Sequence, residues 1–232
     1  ELYSQIWDNK PPFLYFLYSL AQGDQFTIRA YSIFFGILST LIFYYLSKAL
    51  FRSSKIARIT TVIYLFLFAT PFIEGNIANA ENFMLLPIGI AALLIYRACH
   101  SREDGNPAQS KHKNLIHFSA GILLGLAFLF KIVALFDFLA FFIFILLHHK
   151  ESAKRTANKL AIYALGFLSP LFLTALYFLS KGTLNDFIHA AFLGNIGYVG
   201  YENDFIITQG LLVLKLVPLF LAVAFILWKR KV

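Results

Sequence analysis

Lys10 is the residue in this 232-residue chain with the most chemistry written around it. Asp8 and Asn9 precede it, and Pro11-Pro12 and a hydrophobic run follow. Pro11 fixes φ and lacks an N–H, and Pro12 disfavours a helical Pro11, so a helix can start at Pro12 but not before it. Lys10 is thereby held in a non-helical loop at a helix mouth, where its amine can face a polar or anionic ligand. The plainer alternative is a membrane-interface turn that Trp7 and Lys10 merely anchor.

Three other stretches offer groups of the same kind. Glu81 stands in Asn76-Ile77-Ala78-Asn79-Ala80-Glu81-Asn82, where a helix begins. It could reach a sugar or an acceptor, or simply meet the positive end of the helix dipole, worth about 0.3–1 kcal/mol. Lys131 interrupts an apolar run and could hold a lipid phosphate, or reach water with its stem buried. Asn195 and Tyr198, with Tyr201 and Glu202, have the amide, carboxylate and aromatic chemistry of a sugar site, which a belt of interfacial tyrosines would also supply. The six histidines show no pair of ligands at i, i+4 spacing, so no metal site is expected. Cys99 is the single cysteine, which rules out an intrachain disulfide.

The elements that must position these groups are membrane spans. Hydrophobic residues make up 59% of the chain and charged residues 14%, against about 25% charged in soluble domains. The net charge of +8 sits in short loops between apolar runs, which reports membrane orientation rather than nucleic acid. Residues 1–26 read as part of an external loop carrying a short interfacial helix from Leu14 to Ala21, ended by Gly23-Asp24. Spans are expected at about 27–46, 59–73, 81–97, 115–130, 132–147, 160–179 and 207–228. The run from Leu115 to Leu147 is too long for one straight crossing at ~1.5 Å per residue. Gly121 and Gly125 form a small-xxx-small pair that permits close helix packing.

Charge placement supports that division. With seven crossings, one side receives Lys48, Arg52, Lys55, Arg58, then Arg97, Arg102, Lys111, Lys113, then Lys150, Lys154, Arg155, Lys159, and finally Lys229, Arg230, Lys231. Most acids, among them Asp8, Asp24, Glu74, Glu81, Asp137, Asp186 and Glu202, go to the other. The positive-inside rule makes the first side cytoplasmic. A single crossing over 115–147 would put the Lys150 to Lys159 cluster outside and destroy the asymmetry. Asp8 and Lys10 then lie outside, which implies an earlier crossing ahead of Glu1.

These residues resemble the polytopic glycosyltransferases of the C-type fold, in particular the protein O-mannosyltransferase and lipid A aminoarabinose transferase group (glycosyltransferase family 39 and its relatives). Leu2-Tyr3 through Trp7-Asp8-Asn9-Lys10-Pro11-Pro12 looks like the end of that family's first large external loop. Ala80-Glu81-Asn82 resembles its second acidic position, and Gly125-Leu126-Ala127 to Phe130-Lys131 its later helix-end lysine. The span pattern covers most of the chain and the motifs only these short stretches.

The resemblance implies an all-α transmembrane bundle that transfers a sugar from a polyprenyl-phosphate donor to a protein or glycolipid acceptor at the non-cytoplasmic face. It implies no cofactor beyond that lipid-linked donor. Lys10 would contact the lipid-linked phosphate, Asp8 would orient Lys10 or bind a hydroxyl, Glu81 would lie near sugar or acceptor, and Lys131 would be a second phosphate contact. The family's general base belongs to an Asp-Glu pair some 20 residues before the Lys-Pro-Pro motif, so it is expected upstream of Glu1 and this chain is expected to be a fragment. An integral protein of a bacterial or archaeal plasma membrane, its site facing outward, is the corresponding location. Two other classes remain open: a flippase or transporter of a lipid carrier, which should bury ionisable groups midway through its spans, and a structural subunit without a site.

Overall fold

A computed structural model describes residues 2–4, 8–69, 77–100, 113–148 and 152–194. Its regular structure among these residues is helical: α1 (Phe13–Leu20), α2 (Gln25–Phe51), α3 (Ser54–Ala69), α4 (Ala80–His100), α5 (Lys113–Phe130), α6 (Ala134–His148), α7 (Ala153–Ser180) and α8 (Leu184–Ile188), followed by a π-helical turn at His189–Leu193. The chain divides into two compact units, one of Lys10–Leu184 and one joining Glu1–Asn9 to Asn185–Val232.

Within the larger unit, side-chain partners fix the directions of the long helices. Phe35 meets Phe83 at 5.2 Å between ring centroids, Ile42 lies against Gly89, and the Tyr96 hydroxyl donates to the Ala49 carbonyl at 3.1 Å. These partners ascend together, so α2 and α4 run parallel. Phe43 stacks on Tyr64 and Gly36 lies against Phe68, a descending order that makes α3 the return stroke. Gly121 and Gly125 of α5 abut Tyr163, Gly166, Phe167 and Pro170 of α7, again in ascending order. Since α5 and α7 are parallel, α6 must carry the chain back between them.

The α5–α7 crossing is backbone against backbone. A methyl group on Gly121 would overlap the Tyr163 carbonyl oxygen and come within 2.8 Å of the Phe167 nitrogen. One on Gly166 would overlap the Phe118 carbonyl. Only glycine allows this approach, and in lipid such close packing replaces the hydrophobic drive between helices. Around it, Phe138 of α6 lies 4.8 Å from Tyr163 and 4.1 Å from Phe167.

Large apolar side chains point outward. Phe66 is 74% exposed and Phe136 72%, whereas the buried face of α2 is made of Ser32, Gly36, Ser39, Thr40 and Ser47. Contiguous exposed apolar surface on this scale is foreign to soluble monomers and suits a lipid solvent. The helices α2, α4 and α7 are long and apolar enough to cross a membrane, while α5 (from Asn114) and α6 are shorter apolar helices.

The helices exceed the expected spans wherever charge was read as loop. The first runs on through Lys48 to Phe51, and α3 begins at Ser54 with Lys55 and Arg58 in its opening turns. Only Arg52, at φ 51°, and Ser53 separate them. Lysine and arginine are good helix formers, so cations at a span's end prolong the helix instead of ending it. By the same reasoning α7 starts at Ala153, and Lys159, counted with the loop cations, is a helical residue only 6% exposed. The expected loop from Ser180 to Phe205 holds α8 and the π-helical turn. The 207–228 span and most of the 97–114 loop lie outside the described residues.

Candidate functional site

Because the helices of the larger unit alternate in direction, their charges sort to two ends. Lys48, Lys55, Arg58, Arg97, His100, His148, Lys154 and Arg155 stand at or near helix termini of one end. His100 and His148, closing α4 and α6, lie 6.1 Å apart there. The opposite end holds Asp24, Glu81, Lys131 and Asp137.

At that second end the structure joins two groups that the sequence treated separately. The Lys131 amine pairs with a Glu81 carboxylate oxygen. Each belongs to a helix end of the matching polarity. Lys131 closes α5, donating its N–H to the Ala127 carbonyl at 3.1 Å, and accepts from Ala134 at 3.1 Å to open α6. Glu81 occupies the first turn of α4, whose start is capped by the Asn79 side chain accepting from the Asn82 N–H at 3.2 Å. The dipoles of α5 and α4 therefore favour the cation and the anion where they stand. Asn82, 4% exposed, ties the loop down through a bond to the Ile77 carbonyl.

The pair is still open to solvent. Lys131 keeps 37% and Glu81 44% of side-chain exposure, and pairs so wetted contribute little to stability, about 0–1 kcal/mol.

Beside the pair sits α1, the helix that the double proline starts. Pro12 caps it and accepts from Phe16 N–H at 3.0 Å, Gly23 turns the chain at φ 78°, and Asp24 caps α2 through Thr27. Leu14, Ala80, Phe83 and Phe130 form one buried cluster, with Phe13, Leu17 and Tyr18 packed against it. Phe13 meets Phe130 edge-on at 5.4 Å, Phe130 stacks on Phe83 at 5.9 Å, and the Tyr18 hydroxyl donates to the Ala78 carbonyl at 2.5 Å. Burial raises the pKa of Tyr18, which keeps it a neutral donor. Lys10 is exposed, and buried Pro11 and Pro12 join it to this helix. Three residues of chain reach about 10 Å at most, so Lys10 stays within that distance of Phe13, whose ring touches the residue next to Lys131.

Phe13 and Phe83 were not singled out in the sequence, and Phe130 entered only as part of the Lys131 stretch, although each lies within three residues of a candidate charge. That proximity was the available signal. Asp8 belongs to the smaller unit, where its negative charge reaches Tyr3. Ile6, Trp7, Glu74, Asn195, Tyr198, Tyr201 and Glu202 lie outside the described residues. Among the described residues no group of three or more His, Cys, Asp or Glu could hold a metal.

A helical bundle with lipid-facing aromatics, spans of membrane length and a charged cluster at one end defines an integral membrane protein. The family model of dolichyl-phosphate-mannose-protein mannosyltransferase matches residues 4–192. The chain belongs to that family, a family of membrane glycosyltransferases. No curated protein and no solved structure matches it.

Proposed function

We propose that this chain supplies the donor-binding end of a glycosyltransferase that moves a sugar, mannose by the family's description, from a polyprenyl phosphate to a hydroxyl of a protein or glycolipid acceptor. The reaction takes place at the non-cytoplasmic face of the membrane. The observation that carries this reading is the Lys131–Glu81 pair, seated beside the helix that Lys10-Pro11-Pro12 begins.

In the transfer the bond between sugar C1 and the phosphate oxygen breaks, and the acceptor oxygen bonds to C1. The acceptor's proton goes to a base that is not assigned to any of these residues. Negative charge grows on the departing phosphate, and cations already fixed beside it stabilise it without the reorganisation that water would need. Lys10 and Lys131 provide them. Glu81 holds the Lys131 amine in place until the phosphate competes for it, and its second oxygen is left to a sugar or acceptor hydroxyl. Asp8, Asn195 and Tyr198 carry, by their chemistry alone, the remaining groups proposed to meet sugar hydroxyls. The acidic end faces outward and the basic end the cytoplasm, as the positive-inside rule requires; the host membrane is a bacterial or archaeal plasma membrane with seven crossings in this chain. No cofactor takes part beyond the lipid-linked donor.

The test uses the full-length protein in membranes, with polyprenyl-phosphate-mannose as donor. Lys10→Ala should abolish transfer to a serine- and threonine-containing peptide or to extracted glycolipid while membrane insertion persists. Turnover at the wild-type rate removes Lys10 from the mechanism.

A further inference from the structure

The hairpin that joins α2 to α3 carries charges that the transfer chemistry leaves unused. Lys48, Arg52, Lys55 and Arg58 all stand exposed at or near its tip, and no aspartate or glutamate occurs between Asp24 and Glu74. Neither helix can therefore neutralise these cations from its own sequence. Arg58 lies back along α3, its Nε donating to the Ser54 carbonyl at 3.3 Å, so its guanidinium is held toward the tip. There the Ser53 hydroxyl accepts from the Ile56 N–H at 3.3 Å as α3 opens, and the positive end of the α3 dipole adds to the same field.

Arg52 closes α2 at φ 51°, a left-handed geometry that glycine or asparagine takes easily and that a residue with a larger side chain takes at a cost. Its side chain is exposed, so core packing does not account for an arginine at that turn. Around the cations the hairpin is apolar. Leu50 and Phe51 are exposed beside Arg52, and Ile56, Ile59, Ile63 and Phe66 form an exposed stripe at helical spacing along α3. A cationic tip on apolar flanks matches an amphiphile with an anionic head and hydrocarbon tails, whereas an acidic peptide or a nucleic acid would leave the flanks unmatched.

We propose that the α2–α3 hairpin is a binding site for an anionic phospholipid: Lys48, Arg52, Lys55 and Arg58 gather its phosphate head, and the apolar stripe of α3 takes its acyl chains. In the orientation proposed above the lipid belongs to the cytoplasmic leaflet, whose surface carries the negative potential. The positive-inside rule accounts for cations at this end of the bundle in general. It does not account for an exposed arginine at a turn that favours glycine, or for four cations on a hairpin whose own helices hold no acid.

The test titrates delipidated full-length protein, in an uncharged detergent, with fluorescent phosphatidylglycerol or fluorescent phosphatidylcholine and reads anisotropy. Phosphatidylglycerol should bind at least about tenfold more tightly, since each cation near an anionic head is worth about fivefold. Arg52→Gly should weaken that binding about fivefold while the thermal midpoint in the same detergent holds or rises. Lys55→Gln with Arg58→Gln should weaken it further, and adding Lys48→Gln and Arg52→Gln should abolish the preference between the two lipids. Lys154→Gln with Arg155→Gln removes two cations from the same end of the bundle on α7 and should change the affinity little. Equal affinity for the two lipids, an equal loss in the α7 pair and the α3 pair, or displacement by inorganic phosphate as readily as by unlabelled phosphatidylglycerol overturns the proposal. If Arg52→Gly lowers the midpoint and leaves lipid affinity untouched, the arginine serves the fold and the proposal fails.

Discussion

Replacing Lys131 with methionine separates a site from a strut. The substitution keeps the length and apolar stem of the side chain and removes its charge, leaving Glu81 without this partner. Two unit charges at ~4 Å attract by roughly 4 kcal/mol at an effective dielectric of ~20. Both side chains are more than a third exposed, so water screens most of that, and exposed pairs measure about 0.2–1 kcal/mol. Loss of the cation from the end of α5 adds about 0.3–1 kcal/mol. Stability should therefore fall by no more than about 2 kcal/mol. Transfer should fall far more, because one fixed donor at a developing anion is worth about 10²–10³ in rate. The assay is sugar transfer from polyprenyl-phosphate-mannose by detergent-solubilised full-length protein, paired with its thermal midpoint in the same detergent. Glu81→Gln leaves the cation standing and should cost donor affinity less than Lys131→Met does. A Lys131→Met protein that keeps half of its rate, or that fails to fold, refutes the reasoning.

Other outcomes follow from the same geometry. Gly121→Ala should weaken the α5–α7 crossing by about 1–3 kcal/mol, seen as a lower detergent midpoint, because the new methyl meets the Tyr163 carbonyl and the Phe167 nitrogen; Gly23→Ala, with nothing within 4 Å of the added methyl, should show only the strain of its positive φ. Phe83→Ala should cost about 3–5 kcal/mol, since its ring is fully buried among Leu14, Ala80 and Phe130. The Asp24 carboxyl is held below its usual pKa by the Thr27 hydroxyl and backbone N–H, so its cap on α2 supports the fold above the unfolded carboxyl pKa and is lost as pH falls through the folded one; a pH titration of stability should show that dependence disappear in Asp24→Asn. In a Cys99→Ser background, a cysteine at Ser19 should react with impermeant maleimide from outside intact cells, and one at Arg155 only after permeabilisation. The reverse pattern would overturn the proposed orientation.

Composition and hydropathy were enough to read an all-helical membrane protein, because an apolar solvent leaves a spanning chain few ways to satisfy its backbone except helix. The double proline marked the start of α1, and Gly23-Asp24 its end, through φ constraints that act within a few residues. The break at Lys131–Val133 was legible from length and charge together. Helix ends were not: Lys48, Lys55 and Lys159 looked like loop because charge was weighed against lipid, whereas at a span's end a long cation continues the helix and reaches water from there.

What the sequence by itself determined was the list of charges and the helical, apolar character of the elements between them, since both depend on local chemistry and on a membrane that every segment meets alike. Which charges become neighbours depended on packing. Glu81 and Lys131 are 50 residues apart, and each had a sufficient local explanation in its own helix dipole. Only the antiparallel contact of α4 with α5, set by aromatic rings at Phe83 and Phe130 that no single stretch reveals as partners, brings the acid and the cation to one end of the bundle.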